Sequence, residues 1–202
     1  MKRLLLGLIG LLAVALVALL AWQAPEPGPE AALHGLASPP TGGDFFLRSQ
    51  EGPVSLAQFR GKVVVLYFGY TWCPDICPTS LATLSAALDE LSPQELAQVQ
   101  ALFVSVDPER DSLSRLKEYA AYFHPAILGV TGSREQLDRV TGEYGAAYRI
   151  QPDRGSATGY LVDHSADLYV IDRQGRLTAT LPHGSTPGEI YTVLKRQLEG
   201  TL

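Results

Sequence analysis

Val63-Val64-Val65-Leu66-Tyr67-Phe68-Gly69-Tyr70-Thr71-Trp72-Cys73-Pro74-Asp75-Ile76-Cys77-Pro78 carries both cysteines of the chain and its sharpest change of pattern. Residues 63–68 form a β-branched and aromatic run of strand length, and Leu81, Leu84, Leu88 and Leu91 then recur at helical spacing. The reading is strand, Pro-punctuated turn, and helix over residues 79–91. Such a turn aims its side chains at a helix N-terminus, where unpaired N–H groups and the positive dipole end favour thiolate over thiol. Both thiols are expected to be low in pKa, reachable and reactive. Their i, i+4 spacing puts helical Cβ atoms about 5–6 Å apart, wider than the ~3.8 Å a disulfide prefers. Two thiolates on one soft ion, with bonds on the order of 2.3 Å, fit that spacing without forcing the turn. The geometry permits disulfide and metal and leans toward metal. A bridge closing so short a loop would remove little chain entropy, so the pair is read as functional and not as a staple.

Working outward, residues 101–106 are a second apolar strand, ended by Asp107-Pro108, and residues 112–122 read as a helix. A short strand follows at 127–130. Ser133 with Gln136 three residues on caps a further helix, whose inward stripe is Leu137, Val140 and Tyr144. The chain then turns to β signals. Tyr148 and Ile150, and residues 160–162, flank a polar loop over 151–159, and residues 168–171 and 177–181 alternate across Asp172-Arg173-Gln174-Gly175. A closing helix starts at Thr186, with Glu189 completing its cap, and ends near Leu198. Upstream, residues 45–47 and 54–56 look like a small hairpin. Helices interleaved with an early parallel pair and a late antiparallel hairpin describe an α/β, thioredoxin-like fold with an N-terminal β-hairpin extension.

The chain has 202 residues, 16 Lys and Arg against 21 Asp and Glu, and a net charge of −5 without a basic block, which argues against a nucleic-acid partner. Residues 4–22 are apolar and uncharged, long enough to cross a hydrocarbon core of about 30 Å as a helix. Lys2 and Arg3 precede the run and no positive charge follows before Arg48, so the N-terminus is expected to stay cytoplasmic and the rest to lie outside. The division expected is a membrane anchor over 1–23, a Pro/Gly/Ala-rich linker over 24–43, and a folded domain over 44–202. A cleaved signal peptide is the competing reading of the first segment, but the run exceeds the length of a signal h-region and lacks a fitting cleavage site. Either way the domain works outside the cytoplasm.

Four histidines are candidates for a third ligand: His34, His124, His164 and His183. His164 stands just ahead of the strand at 168–171, which in a thioredoxin-type sheet starts beside the cysteine turn. From pattern alone it reads more readily as a loop histidine bonded to Asp163 than as a ligand. The sole methionine is Met1, so no thioether ligand is on offer. Two thiolates and an imidazole suit Cu(I), hold Cu(II) with a further oxygen, and also take zinc. Asp107 is either a turn acid paired with Arg110 or, because strand carboxyl ends face the functional crevice of open α/β sheets, a weak ligand or a partner just outside the ligand set.

Three stretches, residues 67–78, Val104-Ser105-Val106-Asp107-Pro108-Glu109-Arg110-Asp111 and Val162-Asp163-His164-Ser165, together resemble the Sco/SenC family of membrane-anchored copper proteins. The resemblance spans about residues 40–198. It implies a thioredoxin-like fold and copper bound by Cys73, Cys77 and His164. It also implies delivery of copper to the binuclear copper centre of cytochrome c oxidase subunit II, or reduction of that site's cysteines, with a copper donor as a second partner. Asp107 matches a family acid connected with the metal-loaded state. No Arg- and Ser-rich presequence is present, so the expected location is a bacterial cytoplasmic membrane, single pass, with the domain on the periplasmic side. The alternative is a thiol-disulfide oxidoreductase. Such enzymes typically carry two residues between the cysteines and a Pro ahead of the next hairpin strand; here three intervene and the slot reads Asp163-His164-Ser165-Ala166. The chain is therefore read as a chaperone, with reductase activity as the alternative.

Overall fold

Every residue of the strand Val63–Gly69 is buried, as its unbroken apolar run requires of a strand covered on both faces. A computed structural model describes residues 40–151 and 159–200. The expected membrane helix and most of the linker lie outside the described residues, and among those described no helix is long and apolar enough to cross a membrane. In chain order the elements are β1 (Phe46–Ser49), β2 (Gly52–Ser55), a 3-10 turn (Leu56–Phe59), β3 (Val63–Gly69), α1 (Ile76–Asp89), α2 (Pro93–Leu96), β4 (Val99–Ser105) and α3 (Leu113–Phe123). There follow β5 (Ile127–Val130), α4 (Arg134–Tyr144), β6 (Tyr148–Ile150), β7 (Val162–His164), β8 (Leu168–Ile171), β9 (Leu177–Leu181) and α5 (Pro187–Glu199).

The central sheet has the order β5-β4-β3-β8-β9, with β3, β4 and β5 parallel and the last two strands antiparallel. Side-chain alternation along β3 divides the core. Val63, Val65 and Tyr67 pack with Leu81, Leu84 and Leu88 of α1, Leu116 of α3 and Leu194 of α5. Val64, Leu66 and Phe68 pack on the other face with Leu47 and Val54 of the N-terminal hairpin and with Leu137, Val140 and Tyr144 of α4. Each fully buried side chain of this kind contributes about 1.5–3 kcal/mol, most of it offset by the entropy of ordering the chain. The hairpin extension does a second job. Arg48 and Thr131 exchange backbone hydrogen bonds of 2.8 and 2.9 Å, so β1 covers the chain just beyond the edge strand β5.

The expected caps form: Ser133 with Gln136 and Thr186 with Glu189 are both reciprocal capping boxes, and Gly145 and Gly200 end their helices in the left-handed region. Three expectations need correction. The first helix starts at Ile76 and not at residue 79, because Pro78 sits in its first turn, where the missing N–H would be unpaired in any case. The strand expected at 160–162 runs Val162–His164, so His164 is a strand residue paired with Tyr148 and not a loop residue. The last part of the linker is built into the domain: Gly42 N–H donates to the Glu143 carbonyl at 3.1 Å, and Leu177 N–H donates to the Thr41 carbonyl at 3.4 Å. A further short helix, α2, was not foreseen; its capping box of Ser92 and Glu95 is present, but four residues carry no periodicity to read.

Candidate metal centre

The strand register brings the site together. Tyr67 near the end of β3 pairs with Leu168 at the start of β8, so the segment leading into β8 arrives beside the turn that leaves β3. The cysteines are in that turn. Cys73 precedes α1, half-buried, with its N–H donating to the Tyr70 carbonyl at 3.2 Å; Cys77 lies in the first turn of α1 and is fully buried. Their closeness thus comes from the turn folding back onto the helix start, and not from two positions on one helical face. Gly69 makes room for this: a Cβ there would stand 2.7 Å from Cys77 Sγ and 2.9 Å from the Phe103 ring.

His164 reaches the same point from β7. Its Nε2 is 3.2 Å from Cys77 Sγ, and its Nδ1 is 2.9 Å from the Ser165 carbonyl oxygen. A carbonyl has no proton to give, so Nδ1 carries the proton and Nε2 turns its lone pair toward the thiols. Tyr67 and Tyr70 meet the imidazole edge-on, with ring centroids 6.2 and 5.8 Å away, and fix its plane. The two Sγ atoms and the imidazole nitrogen all lie within 4.8 Å of one another, and this is the group of metal-ligating side chains found among the described residues. Donors bound to one ion at 2.0–2.3 Å sit about 4 Å apart, so the three residues fit a small soft ion with little movement.

The two thiols differ electrostatically. The Cys77 thiol above all, with the N–H groups of Asp75 and Cys77, stabilises charge on Cys73 against the opposing effect of burial, pulling it down to about 4. Burial first, and the neighbouring Cys73 second, push Cys77 far above the ordinary thiol range. At neutral pH the pair holds one proton, with Cys73 the thiolate. The expectation that both thiols are reactive therefore holds for Cys73 alone. A metal ion bound by both sulfurs must displace the Cys77 proton.

Asp107 is not part of this group. Its carboxylate is fully buried and accepts from Arg110 Nε at 2.5 Å and from the Tyr160 hydroxyl at 2.6 Å, so the geometry favours a partner beyond the ligands over a weak ligand. His124 accepts from Ala126 N–H and faces Asp89, and His183 is 3.0 Å from Ser80 Oγ, about one turn along α1 from Cys77. Neither joins the cysteines, and His34 lies outside the described residues. Sequence reasoning missed Asp111. This carboxylate, 1% exposed, accepts from Thr71 N–H at 2.9 Å, Thr71 Oγ1 at 2.6 Å and Ser105 Oγ at 2.6 Å, tying the cysteine turn to the end of β4. Arg115 donates to Thr71 Oγ1 and lies over the Trp72 ring at 4.4 Å. A charged residue four places after a strand-ending Asp-Pro was the available signal.

Above the ligands a cleft of about 300 Å³ opens between the cysteine turn and β7, walled by Tyr70, Pro74, Ile76 and Leu161. The fold, and a Cys-Cys-His group at the carboxyl ends of its parallel strands, coincide with a match of residues 35–199 to the SCO1/SenC family. The chain belongs to the SCO1/SenC family. It is 39% identical over 158 residues to the protein SCO2 homolog, mitochondrial, of Bos taurus; the match covers 77% of this chain and 59% of that protein's length. Among solved structures, ScoI of Bradyrhizobium japonicum with copper bound is 37% identical with a TM-score of 0.69, over 77% of this chain and 98% of that one. Apo Sco1 of Thermus thermophilus is 40% identical with a TM-score of 0.66, over 83% of this chain and 94% of that one. The SCO1/SenC match spans all three motifs that carry the resemblance in the sequence, including every member of the Cys-Cys-His group.

Proposed function

We propose that this SCO1/SenC protein carries copper on Cys73, Cys77 and His164 during cytochrome c oxidase assembly and passes it to the binuclear copper centre of subunit II. The observation that carries the reading is the convergence of two sulfurs and a lone-pair imidazole nitrogen within 4.8 Å, beneath an open cleft. Soft sulfur donors favour Cu(I), and the imidazole supplies the borderline ligand that Cu(II) needs. Three protein ligands under a cleft leave one side of the ion open to an incoming thiolate, which is what transfer between proteins requires. The copper-bound Bradyrhizobium relative supports copper as the cargo. The charge pattern of the first 48 residues supports a single-pass protein of a bacterial cytoplasmic membrane with the domain on the outer side.

One observation favours a second reading. A half-exposed Cys73 thiolate beside a protonated, buried Cys77 is also the arrangement of an attacking and a resolving thiol. On this reading the apo protein reduces the cysteines of the oxidase copper site. A single experiment separates the two, using a peptide with the subunit II copper-site cysteines. Copper-loaded protein mixed with reduced peptide should lose its metal to the peptide, and that transfer should need His164. If no copper moves, while apo protein lacking His164 still reduces oxidised peptide with repeated turnover given a thiol reductant, the reductase reading replaces the chaperone.

A further inference from the structure

His164 rides on a hairpin that, among the described residues, pairs with no other strand: β6 and β7 form a two-stranded sheet of their own. Its placement over the cysteines is therefore set by side chains. The residues leading to His164 are held in three ways. Val162 N–H donates to the Tyr70 hydroxyl at 3.3 Å. The Tyr160 carbonyl accepts from Arg110 Nη1 at 2.7 Å, and the Tyr160 ring lies 3.7 Å from the Arg110 guanidinium. The Tyr160 hydroxyl donates to Asp107, the same buried carboxylate that accepts from Arg110 Nε. Arg110 also lies 5.5 Å from the Tyr70 ring, whose edge meets the His164 imidazole. One guanidinium thus touches both the strand that carries the ligand and the ring that orients it.

We propose that Arg110, backed by Asp107, is a positioning residue for His164: it clamps Tyr160 and Tyr70 and so sets where the imidazole stands relative to the thiols. The proposal rests on the copper-site reading above. A planar cation is needed, because it must stack on a ring and donate in its own plane at once, which an ammonium does not do. The far strand of the hairpin has its own attachment, since Tyr148 donates to Asp138 at 2.5 Å and lies beneath Arg134. Loss of Arg110 should therefore loosen one strand and not release the hairpin.

The test measures Cu(I) and Cu(II) affinity and the Cu(II) electron paramagnetic resonance spectrum on the full chain. Wild type, Arg110→Met, His164→Ala and the double variant are compared. Arg110→Met should weaken Cu(II) by about 10–100-fold, the range for partners that orient a metal-binding histidine, and move the spectrum toward that of His164→Ala. Cu(I), held mainly by sulfur, should change less. In the His164→Ala background the same substitution should add no more than about twofold, since it acts through a ligand already gone. Because Arg110→Met strands a buried carboxylate, Tyr160→Ala, which leaves the Asp107–Arg110 pair intact, is measured beside it and decides the matter should the first variant fail to fold. An unchanged spectrum and affinity in the folded variants, or an undiminished effect in the His164→Ala background, overturns the clamp. If His164→Ala itself binds copper as wild type does, the copper-site reading fails instead.

Discussion

Cys77 Sγ and His164 Nε2 lie 3.2 Å apart although 87 residues separate them in the chain. Nothing local joins them: one is in the first turn of α1, the other at the end of β7, and the antiparallel pairing of β8 with β3 brings them together. A site of this kind depends on long-range register, so its members can be tested one at a time without dismantling an element.

His164→Ala removes a half-buried side chain at the end of a three-residue strand and should leave the thermal midpoint nearly unchanged. Copper binding should weaken by at least the ~10–100-fold lost with an outer partner of a metal site, and the Cu(II) absorption spectrum should change. His183→Ala is the control, because His183 is bonded to Ser80 and stands outside the Cys-Cys-His group. Equal behaviour of the two variants would remove His164 from the ligand set.

The asymmetry of the thiols has a pH signature in the reduced, metal-free protein. Alkylation needs thiolate. With Cys73 lowered to about 4, its rate should stay on a plateau through neutral and mildly acid pH and fall about tenfold per unit only below that value. The sign follows from the direction of the shift: a depressed pKa keeps the reactive form present above it. Cys77, buried and raised, should remain unmodified across the same range. Peptide mapping after iodoacetamide treatment at several pH values reads both, and a Cys73 rate that titrates near 9 would contradict the site's electrostatics.

Much of this arrangement was legible because it rests on period and composition. The β3 run, the helical stripes and the Ser133 and Thr186 caps speak through local physics that the folded chain keeps. The pairing of β8 with β3 followed from the fold type, which set His164 nearer the cysteines than the other three histidines, while its place in the ligand set came from the family resemblance. What escaped depends on contacts distant in sequence. Burial of Cys77, which raises its pKa, comes from packing against a core that no local pattern reports. The two-residue shift of β7 is set by pairing with β6, a partner too short to announce its register. Pro78 read as the end of a turn because proline marks a boundary without saying on which side the helix lies.

Gly69→Ala tests the closest packing at the site. The added methyl would sit 2.7 Å from Cys77 Sγ and 2.9 Å from a Phe103 ring that is itself fully buried, so neither neighbour has open space to yield into. Overpacking of this kind costs about 1–3 kcal/mol. A lower thermal midpoint and weaker copper binding should appear together, because the displaced atom belongs to the proposed copper site. An alanine variant as stable as wild type with unchanged copper affinity would mean the sulfur is free to move aside.

Asp111→Asn probes the support beneath the cysteine turn. The native carboxylate offers acceptors only, and three donors meet it: Thr71 N–H, Thr71 Oγ1 and Ser105 Oγ. An amide of nearly the same shape keeps one acceptor oxygen and turns an NH2 group toward the remaining donors, in a place with almost no access to water. Leaving a buried donor unmet costs about 1–3 kcal/mol. The loss should be concentrated in the turn, because the remaining donor to the Asp111 carboxylate, Ser105, belongs to β4, which the sheet holds independently. Hydrogen exchange should therefore quicken at Thr71 and Cys73 more than at the β4 amides, and copper affinity should fall through Cys73, the proposed ligand two residues beyond Thr71. Uniform acceleration across the sheet would instead make Asp111 a general core residue, and unchanged exchange at Thr71 would remove it as the anchor of the turn.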